Sequence, residues 1–187
     1  MFFQDRIISL ERAESLCEQL AEKVVQKPID IVVSIEHGGW FVGVQLARFF
    51  QVPHATITVR RLPDEKVLDG TEDLSVAHRL FVVFIADFFR MARKPVVIEG
   101  VQRSMVCEKN ILLVDDAVHT GSTMEIAAAY LREQGVETVS MAALASVRGP
   151  YPPLCYVLEG HHCYPWSKLS VEYKKFQNFY HKTHVAQ

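Results

Sequence analysis

"ILLVDDAVHTGSTM" (Ile111 to Met124) sets four apolar residues against two adjacent aspartates and then a turn of small, hydroxyl-bearing residues. The apolar run is short and continuous rather than alternating, the pattern of a strand covered on both faces. Adjacent carboxylates repel, and a buried pair is costly unless something cationic or rich in hydroxyls compensates it. In an open parallel sheet, ligands gather at the carboxyl ends of the strands. If the strand is Ile111 to Val114, Asp115 and Asp116 mark such an end. The turn Ala117, Val118, His119, Thr120, Gly121, Ser122, Thr123 then leads into a helix whose free N–H groups and dipole favour an anion. Gly121 permits close approach of the backbone, and Thr120, Ser122 and Thr123 add hydroxyl donors. One loop thus combines an anion cradle with acids able to hold hydroxyls or Mg²⁺. A sugar phosphate with a vicinal diol satisfies both. Two other readings stand beside this one. The acids can be the solvated end of a strand before an ordinary helix cap. They can also be an acidic pocket of the response-regulator kind, although those acids come from different strands and need no anion-holding turn.

Outward from this stretch, strands and helices alternate, which predicts an α/β fold with a central parallel sheet and right-handed crossovers. Ala13, Leu16, Cys17, Leu20 and Val24 recur at helical spacing over residues 9–26, with Ser9 as N-cap and Glu11 in the first turn. Residues 29–35 read as a buried strand, "HGG" opens an apolar helix at 40–50, and 54–62 form a second strand. The polar stretch 63–73 reads as a mobile loop. Residues 74–91 predict a helix apolar over most of its circumference, therefore buried, with Phe81, Phe84, Phe88 or Phe89 against a second subunit in a homo-oligomer. A short strand at 95–101, a helix at 122–134 and a strand at 138–146 complete the core, and the chain from Arg148 on is irregular and rich in proline and aromatics.

The 187 residues suit a single domain (1–187), with a core over about 29–147 and a small hood built from the N-terminal segment and about 148–187. The chain is 49% hydrophobic and 22% charged, the balance of a soluble globular protein. A formal charge of −2 argues against a DNA partner. Asp5 interrupts the N-terminal apolar residues, so no signal peptide is expected, and the longest apolar run, 80–86, is too short to span a bilayer. Four scattered cysteines without a CxxC pair fit reduced thiols in a cytoplasmic protein.

The stretch around Asp115 and Asp116 resembles the signature of the type I phosphoribosyltransferases: apolar residues, two acids, then a variable stretch ending T-G-x-T. "IVVSIEHGGWFVG" resembles that family's pyrophosphate loop, "VVIEGVQRSMVCEKNILLVDD" the approach to the signature, and "YPW" (Tyr164 to Trp166) the aromatic-Pro-Trp that closes the hood of some members. The resemblance runs in order from Ile29 to Trp166 and leaves 74–91 without a counterpart. It implies a three-layer fold and Mg²⁺-dependent transfer of a phosphoribosyl group from phosphoribosyl pyrophosphate to a base, most readily a purine. By the same resemblance, Asp115 and Asp116 bind the ribose hydroxyls directly or through Mg²⁺, and Ala117 to Thr123 cradle the 5′-phosphate. Glu36, His37, Gly38 and Gly39 hold the pyrophosphate, around a strained or cis peptide next to Gly38.

The pattern departs from the family in three places. His37 stands where Arg or Lys is common, an imidazole in place of a permanently charged side chain. His119 stands where purine-salvage members often carry Asp to handle the base proton; it reads either as a general acid–base or as a plain loop residue. The base pocket offers Arg148, His161, His162 and Trp166, with Trp166 either stacking on the base or packing the hood. Arg60 and Arg61 read as phosphate contacts or as solvated arginines, and "GHHC" with Cys155 lacks the paired motif of a zinc site. A second function keeps the fold without turnover: a regulatory protein that binds phosphoribosyl pyrophosphate or a nucleotide as a signal.

Overall fold

The computed structural model describes residues 7–61, 95–152 and 154–184. The expected loop at 63–73 and the expected helix at 74–91, with its four phenylalanines, lie outside the described residues.

Helix α1 (Leu10–Val24) starts where Ser9 accepts a hydrogen bond from the Arg12 N–H at 3.2 Å, and it buries Ala13, Leu16, Cys17, Leu20 and Val24 on one face. Strand β1 (Ile31–Glu36) follows, then α2 (Gly39–Phe50) and β2 (His54–Arg61). Strand β3 (Pro95–Glu99), a single helical turn α3 (Arg103–Val106), β4 (Asn110–Val118), α4 (Ser122–Glu133) and β5 (Thr138–Ser146) come next. Beyond Arg148, where irregular chain is expected, a strand β6 (Cys155–Glu159) and a helix α5 (Tyr173–His184) form instead. β6 is only five residues long and pairs at the sheet edge, and α5 shows its period only through Tyr173, Phe176 and Tyr180.

The six strands order as β3-β2-β1-β4-β5-β6. All neighbouring pairs are parallel except β2 with β3, which is antiparallel. The central strands are thus parallel, as expected, and the reversed strand is confined to the margin. β3 lies at the edge, the place where a mixed sheet accepts a reversed strand and where Pro95 removes no interior ladder bond.

Side chains alternate across the sheet, and both faces are covered. Val32, Leu112, Val114, Ala142 and Leu144 pack with α1 and α2 on one face. Ile31, Val33, Ile35, Ile111, Leu113, Met141 and Ala143 pack with α4 on the other. This two-sided burial is why the central strands read as unbroken apolar runs. The early and late parts of the chain also meet. Ile7 bridges Cys163, the Ile8 N–H donates to the Cys163 carbonyl at 2.8 Å, and the Leu10 N–H donates to Glu172 Oε2 at 2.7 Å.

Candidate active site

The chain leaves β1 toward β2 on one side of the sheet and β4 toward β5 on the other, so β1 and β4 flank the point where strand order reverses. That switch point leaves a crevice beyond the carboxyl ends of the two strands. Glu36 and the following loop form one wall, and Asp115 and Asp116 form the other.

The two strands end at different heights. β1 pairs with β4 only as far as Ser34 opposite Val114, whereas β4 stays paired with β5 through Val118 opposite Ser146. The strand expected to end at Val114 therefore runs on through Asp115 and Asp116, because the nine residues of β5 supply partners for three more positions, Asp115, Ala117 and Val118. On the β1 side the ladder has already stopped, and the acids lie against the loop after β1. A Cβ added to Gly38 would overlap the Asp116 carboxylate, so only glycine lets the two walls approach this closely. The peptide bond between Glu36 and His37 is cis.

Both acids are half-buried, and both carboxyls are held above the ordinary carboxylate range. For Asp115 the cause is burial first and the neighbouring Asp116 charge second. For Asp116 burial raises it, while hydrogen bonds from Trp166 and Ala117 oppose the rise. Asp115 Oδ1 accepts from the Asp116 N–H at 2.9 Å. Asp116 Oδ1 accepts from the Ala117 N–H at 2.6 Å, and its Oδ2 from the Trp166 indole N–H at 2.6 Å. A cavity of about 290 Å³ opens here, lined by Glu36, His37, Gly38, Asp115, Asp116 and Thr123 among others. His37 is exposed, with Nδ1 3.9 Å from Glu36 Oε2.

The turn after β4 wraps a second cavity of about 90 Å³, lined by Asp115, Ala117, Val118, His119, Thr120, Gly121, Thr123 and Met124. Gly121 caps α4 with φ +78°, and the Tyr151 ring lies over it, so a side chain there would be both strained and crowded. Thr120 Oγ1 and Ser122 Oγ are 3.0 Å apart. Tyr151 donates to Glu125 in the first turn of α4, and burial followed by that carboxylate pushes its phenol up to about 12.

The candidates for the base converge on the same edge of the sheet. The Val147 N–H donates to the Val118 carbonyl at 2.9 Å, which sets exposed Arg148 beside the end of β4. The Gly160 N–H donates to the Ser146 carbonyl at 3.0 Å, which brings His161 and His162 next to the end of β5. The His119 and His161 rings lie 5.4 Å apart between centroids. His162 bonds the Glu159 carbonyl at 3.0 Å and lies 6.4 Å from the Tyr164 ring. Trp166 is packed rather than open: Tyr164 stacks on it at 5.0 Å, and Phe41 and Phe176 lie at 5.2 and 5.6 Å. Arg60 is exposed on β2, and the side chain of Arg61 lies outside the described residues. Among the described residues no three His, Cys, Asp or Glu side chains gather as metal ligands, and no helix is long and apolar enough to cross a membrane.

Two contacts escape a reading of the sequence: Trp166 with Asp116, and Tyr151 over Gly121. "YPW" is visible as a motif, but nothing in its spacing says that its indole reaches a carboxylate fifty residues upstream. Tyr151 sits in "GPYPP", which reads as a turn.

Residues 4–177 match the family model of the phosphoribosyl transferase domain. The chain belongs to that family. The fold of this phosphoribosyltransferase is similar to that of purine phosphoribosyltransferase from Pyrococcus horikoshii, with a TM-score of 0.66 and 19% identity over 88% of this chain and 95% of that one. It is also similar to a hypothetical protein from Neisseria gonorrhoeae with bound ppGpp (TM-score 0.62, 18% identity, 92% and 94% covered). Helicobacter pylori xanthine-guanine-hypoxanthine phosphoribosyltransferase follows at a TM-score of 0.59, with 15% identity and 92% and 98% covered. No curated protein matches the sequence. At these identities the likeness establishes the fold: the mostly parallel sheet with helices on both faces is that of the type I phosphoribosyltransferases.

Proposed function

We propose that this phosphoribosyltransferase moves the phosphoribosyl group of phosphoribosyl pyrophosphate to a purine base and releases pyrophosphate. The observation that carries the reading is the junction at the carboxyl end of β4, where the acid pair passes directly into the anion-accepting turn that caps α4. The N–H groups of His119 to Thr123, with the Thr120 and Thr123 hydroxyls, hold the 5′-phosphate. Asp115 and Asp116 accept the ribose 2′- and 3′-hydroxyls. Glu36, His37, Gly38 and Gly39 hold the pyrophosphate across the crevice. The purine is favoured by the names of the proteins of similar fold, two of which are purine enzymes.

The donor set fits Mg²⁺: two carboxyls crowded together, each disfavoured as an anion by burial, supply the oxygen ligands a hard cation takes. Asp115 and Asp116 would hold it through the substrate, and when bound it supplies charge neutralisation at the sugar and the leaving pyrophosphate. In the transfer, the bond from ribose C1 to the pyrophosphate oxygen breaks and a bond from C1 to a base nitrogen forms. Positive charge develops on the ribosyl centre as in glycoside chemistry, and the two aspartates stabilise it. The proton on the base nitrogen passes to His119, with His161 beside it; Arg148 and His162 complete the base end. Trp166 backs the acid pair here instead of stacking on the base. The chain acts as a single cytoplasmic domain in a homo-oligomer, with no DNA or membrane partner.

Titration calorimetry tests the binding half directly. The wild type binds Mg²⁺-phosphoribosyl pyrophosphate, and Asp115→Asn with Asp116→Asn abolishes binding while the far-ultraviolet spectrum stays unchanged. Equal affinity in the double variant would remove the acids from the site. Tight binding with no turnover on any base would favour the regulatory reading, toward which the exposed His37 in place of a fixed cation points.

A further inference from the structure

We propose that Trp166 is a positioning residue that fixes Asp116 for ligand binding, so that the late part of the chain sets the geometry of the acid pair. The inference rests on the reading of Asp116 as a ribose or Mg²⁺ contact. Both oxygens of Asp116 are held by N–H donors, Oδ1 by Ala117 and Oδ2 by the Trp166 indole, each at 2.6 Å. The Ala117 donor is the next residue of the same strand and restrains the carboxylate only locally. Trp166 is fifty positions away and ties it to a different part of the fold. A bond from a neutral N–H to a carboxylate at this length is charge-assisted, short and directional.

The donor is itself immobilised. Tyr164 stacks on the indole with an interplanar angle of 1°, and Phe41 of α2 and Phe176 of α5 close in at 5.2 and 5.6 Å. Phe41 and Phe176 are buried, and Tyr164 also donates to the Asp116 carbonyl at 3.3 Å. Asp116 is thereby wedged between the indole and Gly38, where no space remains for even a methyl group. Without the indole N–H, Oδ2 loses its partner, and the carboxylate is released to rotate about its side chain toward solvent or toward Asp115.

The test uses the full chain labelled with ¹⁵N, whose two tryptophans give two indole N–H resonances. Trp166→Phe assigns the Trp166 signal and removes the donor while keeping an aromatic ring. In the ligand-free protein, Asp116→Asn shifts the Trp166 resonance and leaves that of Trp40 in place; an unmoved resonance overturns the contact. In calorimetry, Trp166→Phe binds Mg²⁺-phosphoribosyl pyrophosphate about tenfold or more weakly than wild type, the loss expected for one hydrogen bond to a charged group. A structural role alone would lower the melting temperature and leave the affinity of the folded variant at the wild-type value, which overturns the proposal. If Trp166→Phe does not fold, Trp40→Phe supplies the assignment, and a Trp166 resonance left unmoved when the wild type binds Mg²⁺-phosphoribosyl pyrophosphate overturns the proposal. A wild-type protein that does not bind overturns the reading of the site, and the positioning role with it. The two failures are told apart by the wild-type titration.

Discussion

Asp115 costs the ligand-free fold stability. Its carboxyl is raised above the ordinary carboxylate range by burial and by the charge of Asp116, so the folded state favours the proton more than the unfolded state does. The unfolded state therefore releases protons first as pH rises. Stability is lost from the ordinary carboxylate pKa of about 4 upward, until the pH passes the folded value. Asp115→Asn removes that penalty and should raise the melting temperature of the ligand-free protein at pH 7, by about 2–4 °C for each kcal/mol relieved. The gain should shrink as the pH falls toward about 4, where wild type is protonated in both states. A scanning calorimetry series over pH checks this, and an Asn variant less stable at pH 7 would contradict it. His119 makes a separate claim, resting on its ring lying 5.4 Å from that of His161 at the end of the turn. His119→Ala should lose roughly 10²-fold in kcat/KM, while affinity for phosphoribosyl pyrophosphate stays put. His119→Asp should retain much more of the rate.

Between elements, the distances are set by what each side lacks. β1 approaches β4 at the crevice because Gly38 has no side chain to meet Asp116. Gly38→Ala should keep the fold, at a cost of about 1–3 kcal/mol for overpacking. It should also displace Asp116 from the indole, which the Trp166 N–H resonance and a binding loss of at least about tenfold would report, if one charged hydrogen bond is broken. Phe176→Ala in α5 should lower stability by about 3–5 kcal/mol, because Phe176 is buried against Phe41 and Trp166. These two predictions also show what could be read in advance. The strand Thr138–Ser146 and the N-cap at Ser9 are legible because burial on both faces and capping chemistry are local properties. The length of β4 is not legible, since residues 115–118 stay extended only because β5 lies alongside them. β6 and α5 are hidden for a similar reason: five residues at an edge and an aromatic 3–4 spacing become visible only once β5, Trp40 and Phe41 are placed. That Asp115 and the glycine turn share a cavity follows from their adjacency in the chain, but the Trp166 partner of Asp116 is a contact between distant segments that no local pattern encodes.

For the molecule as a whole, the strand order explains why these groups meet at all. Parallel pairing brings the carboxyl ends of β1, β4, β5 and β6 to one edge, so the loop at Glu36, the acid pair, Arg148 and the two histidines become neighbours in that order. The family model spans residues 4–177, so nearly the whole chain is given over to this one arrangement. The central claim is that the arrangement transfers a phosphoribosyl group to a base. The most direct measurement is pyrophosphate release from phosphoribosyl pyrophosphate and Mg²⁺ across a panel of purines and pyrimidines, with the Asp115→Asn, Asp116→Asn double variant run alongside. The site described here predicts release with at least one purine, formation of the matching nucleoside monophosphate, and no release by the variant. No release with any base, or release that the variant matches, would contradict it.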